Sequence, residues 1–566
     1  MGYRAPIKDI RFALEQCAEV WATSENGPAG ELDPELLTAI LEGAGALASE
    51  TLAPLNRVGD AAGVALQDAE VKTPPGFADA YRAFAEGGWQ GLAADPAHGG
   101  QGLPRVLALA VMEMITSANM SFGLCPILTL GAIEALEAHG SDAQRALYLP
   151  KLVSGEWTGT MNLTEPQAGS DLAALTTRAE PSVDGTYRLT GQKIFITWGE
   201  HDAAANIVHL VLARLPDAPA GSAGISLFVA PKILPDGGRN ALRCIGVEEK
   251  LGIHASPTCT MAFEGATAWL VGEPNRGLAH MFTMMNSARV NIGVQGAAIG
   301  EAAYQKALDY AKERRQGRAE GVSGSAPIIL HPDIRRILVT MKAKTQAARV
   351  LCYAAAAAAD RGDAARADLL TPIAKAWSTD WGVEAASLGL QVHGGMGFIE
   401  ETGAAQFYRD ARIAPIYEGT NGIQAIDLIG RKLSADGGAA MGALIAETRA
   451  IAAEAQATER TSLGRVAVRL ATACEALSEA TAHMLAAQKK DRKDALAGAN
   501  AYLKLAGDVA AGMLLTKGVM GADEPEQEAL LCFYAETVLA PAPGLVHEVR
   551  AGAGPLFDDA LIDLAI

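Results

Sequence analysis

Apolar positions in residues 1 to about 155 follow a helical period, in segments such as PELLTAILEGAGALASETLAP and FADAYRAFAEGGW separated by glycine and proline. That spacing gathers apolar side chains on one face of each segment and predicts a helical region. From about 158 to 275 the period falls to two. GTYRLTGQKIFITWG alternates around the turn signal Asp184-Gly185, and NIVHLVLARL, GISLFVAPKI and CTMAFEGATAWLVG follow. Short strands with turn residues between them predict a small β-barrel or sandwich. Helical spacing returns at about 276, through IGEAAYQKALDYAKERR and IRRILVTMKAKTQAARVLCYAAAAAAD, and a further helical block begins after SADGGAAMG. The expected fold is mainly α with a central β-barrel domain. Its expected divisions are an N-terminal helical domain (1–157), the β-barrel domain (158–275), a helical bundle (276–435) and an appended C-terminal helical domain (436–566).

Composition narrows the partners. A chain of 566 residues is too long for one ordinary core, which agrees with three or four domains. The net charge of −18 argues against nucleic acid, whose phosphates are bound by basic patches. The seven cysteines, at 17, 125, 244, 259, 352, 474 and 532, are odd in number and include no C-x-x-C pair. Reduced thiols in a cytoplasmic protein are expected, with neither a disulfide frame nor a metal site. The N-terminus carries charges every few residues and lacks the apolar stretch of a signal peptide. The run LCYAAAAAAD is short, alanine-rich and closed by Asp360, so it reads as tight helix packing and not as a membrane span.

Several common catalytic signatures are missing, among them G-x-x-x-x-G-K-[ST], H-E-x-x-H and G-x-S-x-G. VHGGMGF (Val392 to Phe398) lacks the strand, spacing and later acid of a dinucleotide fingerprint, and alone reads as a tight turn. MNLTEPQAGSDLAAL (Met161 to Leu175) offers small residues, open N–H groups and hydroxyls that suit a polar ring edge or a phosphate. It also reads as a helix entry capped by Ser170 or Asp171. In KIFITWG, Phe195 and Thr197 lie two apart on one strand face, fit to stack on a planar ring and bond its edge, or simply to pack. RDARIAPIYEGTNGIQAIDL places one carboxylate, Glu418, in an apolar, glycine-flanked turn before a helix: a helix-entry glutamate or a catalytic base.

TEPQAGSD, GQKIFITWGE, ERRQGR, LQVHGGMGF and RDARIAPIYEGTNGIQ occur in this order, and together the chain resembles the acyl-CoA dehydrogenase family. GLAADPAHGGQGLP and VEEKLGIHASPTCTMAFEG fit as well. The N-terminal YRAPIKDIRFAL and the last helical block resemble the family's long branch, which includes enzymes acting on 3-(methylthio)propanoyl-CoA. The resemblance implies FAD, an acyl-CoA substrate, electron-transfer flavoprotein as acceptor and a homo-oligomer, dimer or higher, with neither nucleic acid nor membrane as partner. It implies dehydrogenation of a short acyl-CoA to the trans-2-enoyl thioester. Competing readings are a medium- or long-chain acyl-CoA dehydrogenase, an acyl-CoA oxidase, and a non-catalytic flavin or acyl-CoA binding protein.

The family's roles carry over position by position. FAD is implied at Met161, Leu163, Thr164, Gly169 and Ser170, and along Phe195, Ile196 and Thr197, where the aromatic shields one flavin face and Thr197 lies near N5. Family members often have tryptophan at Phe195. Arg314 and Gln316 match a pair that reaches the cofactor of a neighbouring subunit, and Gln391, Gly394 and Gly395 match the loop completing that site. ERRQGR has Gly317 where the family has an aromatic. Thr420 and Asn421 open a helix whose N–H groups favour a phosphate. Ser170, Asn286, Arg289 and Gly419 match substrate-side positions, with Asn286 in place of a common aspartate. Glu418 matches the base that removes the α-proton, its own backbone N–H bonding the thioester oxygen. Burial beside Ile416 and Tyr417 is expected to raise its pKa toward neutral. Arg409 and Asp410 are expected to be a structural ion pair, His393 a packing residue, and His254 and Ser256 either turn residues or neighbours of the ligand.

Overall fold

The computed structural model describes residues 2–22 and 32–558; Met1, residues 23–31 and the last positions of the expected C-terminal domain lie outside the described residues. The chain forms two compact units, one built from 2–5 and 32–288, the other from 6–22 and 289–558.

In the first unit, helices form where caps and periodicity coincide. Pro34–Ala46 starts with proline at its first turn, and the Asp33 side chain accepts the Leu36 N–H at 2.7 Å. Asp142–Val153 opens on a reciprocal Ser141/Gln144 capping box. Arg105–Ala118 is buried on every face after its first residue, and Met120–His139 on nearly every face, which makes them central helices. A short hairpin, β1 (Ala65–Gln67) and β2 (Glu70–Lys72), interrupts this helical region.

The remaining strands are β3 (Trp157–Asn162), β4 (Arg178–Pro181), β5 (Tyr187–Thr197), β6 (Asn206–Arg214), β7 (Ile225–Pro231), β8 (Leu242–Val247) and β9 (Thr258–Val271). β3 pairs with β6 in parallel; β4 pairs with β5, β5 with β9, β9 with β7 and β8, and β7 with β6, all antiparallel. One further residue pair, Arg178 with Arg214, joins β4 to β6. Asp184-Gly185 makes the expected turn, with Asp184 Oδ1 accepting the Thr186 N–H at 3.0 Å and Gly185 at φ 81°. β6 and β7 read as continuous apolar runs because both their faces are buried. Val208, Leu210 and Leu212 pack in one core with helix residues Ala132, Leu136 and Leu149. The alternate residues Val211 and Ala213 pack in a second core with Phe228, Met261 and Phe263.

In the second unit the long helices are Gly277–Glu313 (from Arg289 onward), Pro332–Asp360 and Ala364–His393. They approach closely at small residues: a Cβ on Gly296 would lie 1.9 Å from the Ser378 carbonyl oxygen. Ala354 to Ala358 are buried in this packing, as the alanine run implies. The helices Ala439–Ala457, Thr461–Lys490 and Ala499–Gly521 join the same unit, tied by Trp377 Nε1 donating to Asp508 Oδ1 at 2.8 Å and by Arg366 with Glu447 at 2.9 Å. The structure differs from the sequence expectation at the N-terminus. Residues 6–22 belong with these helices, and Asp9 accepts from Gln527 Nε2 at 2.8 Å.

Three helical segments, Pro34–Ala62, Met120–His139 and Pro525–Arg550, are long and apolar enough to cross a membrane by length and composition. Reading for the single most apolar run singled out Leu351 to Asp360 instead. The apolar window of Met120–His139 is 83% buried inside the protein, so its apolar surface already has a protein partner.

Candidate functional site

In the first unit the site is a loop pinned to a bulged strand. β3 ends in Met161 and Asn162, and Leu163 and Thr164 follow; the Thr164 carbonyl accepts the Ile194 N–H of β5 at 2.9 Å. Buried Glu165 anchors the loop. Its Oε1 accepts from Lys193 Nζ at 2.8 Å, Thr177 N at 3.0 Å and Thr177 Oγ1 at 2.6 Å, while Oε2 accepts from Thr176 N at 2.7 Å and Gln167 Nε2 at 2.7 Å. Lys193 also donates to the Leu163 carbonyl at 2.9 Å. Burial would raise the Glu165 carboxyl, but Lys193 and the threonines hold it down to about 2. Past this anchor Gly169 and Ser170 are exposed, and a Cβ on Gly169 would meet nothing within 4 Å. The short helix Leu172–Ala174 is capped by Asp171 and not by Ser170, which leaves the Ser170 hydroxyl without a capping duty.

Phe195 sits at a register shift between β5 and β9, in the left-handed region at φ 60°, with 57% of its surface exposed. A bulky residue there is strained by roughly 1–3 kcal/mol, a feature that gathers at binding sites. Ile196 turns inward and is buried, while Thr197 is half-buried. An exposed aromatic face, an adjoining hydroxyl and an open glycine loop tied to the same strand fit a planar ring with a polar edge.

The second unit holds the remaining predicted residues other than Asn286 in two places. Arg314 and Gln316 are exposed on an arm after helix Gly277–Glu313, where Ile328 N–H donates to the Arg314 carbonyl and Gln316 N–H to the Ala326 carbonyl, both at 2.8 Å. Gln391, Gly394 and Gly395 are exposed at the end of Ala364–His393, and a Cβ on either glycine would meet nothing within 4 Å. The His393 ring stacks on Tyr310 at 4.4 Å and bonds the Gly389 carbonyl at 2.7 Å, so it is a packing histidine that brings these two segments together.

The other place is the turn before Asn421–Asp427. Glu418 (φ 54°) and Gly419 (φ 88°) are consecutive left-handed residues. A Cβ on Gly419 would meet Gln424 Nε2 at 2.7 Å and displace that side chain, and the left-handed backbone itself favours glycine. Tyr417 bonds the Gln295 side chain through its hydroxyl. Lys375, a buried residue of Ala364–His393, donates to the Gly419 carbonyl at 2.9 Å and to Asn421 Oδ1 at 2.8 Å. Buried Arg289 lies 3.5 Å from Asp427. No donor among the described residues is bonded to the Glu418 carboxylate. Part of Glu418 reaches the surface, yet burial pushes its carboxyl up to about 7, against the opposing charges of Arg289 and Lys375. Burial likewise pulls the Lys375 ammonium down to about 7, against Glu418 and Asp380.

The structure refines three expectations. Ile416 does not bury Glu418, since it is itself 48% exposed. The helix after the turn is only seven residues long; its Asn421 N–H goes to the Pro415 carbonyl at 3.0 Å and its Ile423 N–H to Thr420 Oγ1 at 3.2 Å. With the Asn421 amide also held by Asp380 Oδ1 at 2.8 Å, Thr420 and Asn421 support the turn. His254 bonds Asp60 and the Lys250 carbonyl, at 2.9 Å each, which makes it a turn residue. Arg409 forks onto Glu400 at 3.0 Å, and Asn286 is half-buried on its helix in the first unit.

Sequence reasoning missed Glu165, Lys193, Lys375 and Gln295. The available signal was a lysine at an inward strand position (193) and another inside the apolar run LLTPIAKAW (375).

Comparison with known proteins covers the whole of this architecture. Models of the acyl-CoA dehydrogenase N-terminal, middle and C-terminal domains match residues 37–156, 160–266 and 275–434, and an acetyl-CoA dehydrogenase C-terminal-like model matches 444–558. The chain is 49% identical over 545 residues to 3-methylmercaptopropionyl-CoA dehydrogenase of Ruegeria pomeroyi, covering 92% of each. It is 33% identical to a butyryl-CoA dehydrogenase of Syntrophomonas wolfei, covering 79% of this chain and 78% of that one. Caenorhabditis elegans ACDH-11, solved with C11-CoA, shares the fold at 21% identity, with a TM-score of 0.82 over 98% of this chain and 96% of that one.

Proposed function

The chain belongs to the acyl-CoA dehydrogenase family, an FAD-dependent oxidoreductase family, and on that premise we propose that Glu418 is the base that removes the α-proton of a short acyl-CoA. One observation carries this reading: a carboxylate with no bonded donor, set in a strained turn and pushed up to about 7. A base poised near the working pH is both ionised often enough and basic enough to take the proton. The Glu418 N–H has no acceptor among the described residues and is the donor available to a thioester oxygen, where negative charge develops. Bound FAD supplies the acceptor for the β-hydride. Met161, Leu163, Thr164, Gly169, Ser170, Phe195, Ile196 and Thr197 hold it, with Arg314, Gln316, Gln391, Gly394 and Gly395 contacting the cofactor of a neighbouring copy. Ser170, Asn286, Arg289 and Gly419 serve the substrate.

The substrate in this reading is 3-(methylthio)propanoyl-CoA, supported by the name of the 49% identical relative. A thioether sulfur is close to a methylene in size and polarity, and apolar pockets separate such groups by only ~1–3 kcal/mol, so butanoyl-CoA should also react. The further parts of the proposal are four domains bounded at about 157, 275 and 435, a closed β-barrel, a cytoplasmic homo-oligomer and electron-transfer flavoprotein as acceptor. Barrel closure is supported by β6 pairing with β3, β4 and β7, and a reducing compartment by seven cysteines outside any disulfide. The deciding experiment is anaerobic bleaching of the flavin by methylthiopropanoyl-, butanoyl-, octanoyl- and palmitoyl-CoA, then admission of air. Preference for palmitoyl-CoA refutes the substrate; rapid recolouring in air indicates an oxidase.

A further inference from the structure

The helix segment Leu369 to Trp377 is buried throughout, and a lysine in its middle is out of place on burial alone. Lys375 is fully buried, and its ammonium points at the base-bearing turn, with the Gly419 carbonyl at 2.9 Å and Asn421 Oδ1 at 2.8 Å. The same helix grips that turn again: Asn421 Nδ2 donates to the Ala376 carbonyl at 3.1 Å, Thr379 Oγ1 at 3.0 Å and Asp380 Oδ1 at 2.8 Å. Glu418 and Gly419 are held in two consecutive left-handed conformations that cost energy for the glutamate. A clamp on the carbonyl that follows Glu418, and on the side chain two residues later, over-determines that backbone.

We propose that Lys375 is a positioning residue for the base, locking the Glu418–Gly419 turn through the Gly419 carbonyl and Asn421 and supplying the positive charge that favours the ionised carboxylate. This rests on Glu418 being the base. A buried carboxylate must still ionise at neutral pH, and burial opposes that. Two cations work against burial here, Arg289 from helix Gly277–Glu313 and Lys375 from helix Ala364–His393. Arg289, the larger of the two opposing charge effects, also faces Asp427 at 3.5 Å, a carboxylate that Arg431 binds at 2.6 Å. Asp380 lies on the Lys375 helix, bonded to Asn421, and Tyr417 is the ring beside Glu418 on its own turn. Lys375 has no ion pair within 4 Å among the described residues; its acceptors are neutral oxygens, so its charge is uncompensated by a bonded carboxylate. Its charge acts on Glu418 together with that of Arg289.

The test compares Lys375→Gln, whose amide can still donate but is uncharged, with Lys375→Met, which loses both functions, in the holoenzyme. The acid limb of the pH profile of kcat/KM is expected to move upward by about one unit in both variants, since an opposite charge nearby shifts a carboxyl by ~1–3 units. Lys375→Met should also lose kcat by about tenfold or more through the loosened turn, the order of effect of a slightly misplaced group. Infrared titration of the Glu418 carboxyl, assigned by difference against Glu418→Gln, should show the same upward displacement without turnover. An acid limb and carboxyl titration that stay in place in folded Lys375→Gln overturn the proposal, even if the rate falls, because a purely structural lysine would behave so. Should Lys375→Met fail to fold, Lys375→Gln alone decides. Glu418→Gln separates the two readings: near wild-type flavin reduction there removes the base itself, whereas its loss together with an unmoved limb removes only the role of Lys375.

Discussion

Each unit of this protein contains a glutamate near a buried lysine, and the two arrangements differ in nearly everything else. Glu165 accepts six bonds, from Lys193, Gln167 and the backbone N–H and hydroxyl of both Thr176 and Thr177. Glu418 accepts none from the described residues, and the lysine beside it donates to neutral oxygens. The carboxyl is accordingly held at about 2 in one case and pushed up to about 7 in the other. Satisfaction by donors separates the carboxylate that holds a loop from the one left free to take a proton.

The largest effect that can break this comparison is on rate. Glu418→Gln keeps the size and removes the proton acceptor, so anaerobic flavin reduction by substrate should fall ~10²–10⁴-fold; reduction at near wild-type speed would place the base elsewhere. Next comes Lys193→Met, which leaves Glu165 buried and unpaired. Urea unfolding should show a loss of ~3–5 kcal/mol, together with weaker FAD retention because the Gly169 loop loses its anchor. Since the folded pKa of Glu165 lies below its ordinary value, the wild-type contribution is present above pH 4.5 and fades as pH falls toward about 2.

A smaller loss, ~1.5–3 kcal/mol, is expected of Thr177→Val, which deletes one hydroxyl bonded to that carboxylate. The smallest effect has the opposite sign. The folded pKa of Glu418 is raised, so the associated stability is present below pH 4.5 and is lost as pH rises through about 7. Glu418→Gln should therefore be more stable than wild type at pH 8, by about 1 kcal/mol after discounting for its partial exposure, and nearly equal near pH 4. Thermal melts at the two pH values check both sign and size. A variant less stable at pH 8 would mean that Glu418 holds the turn as Glu165 holds its loop.

The sequence disclosed these two regions unequally. Period-two runs located β5, β6, β7 and β9, and the Asp184-Gly185 turn, because each depends on neighbours along the chain. β3, β4 and β8 went unread: Trp157–Asn162 is short and buried from Thr158 on, Arg178–Pro181 is only four residues long, and among the described residues Leu242–Val247 pairs only with distant β9. Glu418 was legible because a lone acid among apolar residues is conspicuous. Its apolar cover was not, for Ile416 faces outward. The bonds of the turn at Thr420 were not legible, because nothing in the sequence told that Pro415 would take the Asn421 N–H. Lys193 and Lys375 went unread; only three-dimensional packing shows what they bond.

The bond from Trp377 to Asp508 has a consequence for how the protein can be cut. The glycine-rich stretch near 437 looks like a place to divide the chain, and excision of the last helices would seem to leave an independent enzyme. Trp377, however, lies two residues beyond Lys375 on one helix, and a Cβ on Gly507 would collide with its indole at 2.4 Å. Tyr534 tightens the same seam by donating to the Asp508 carbonyl at 3.0 Å. Excision would bare the indole and unseat the helix that carries Lys375, so the appended block is not modular: the enzyme and its extension stand or fall as one piece.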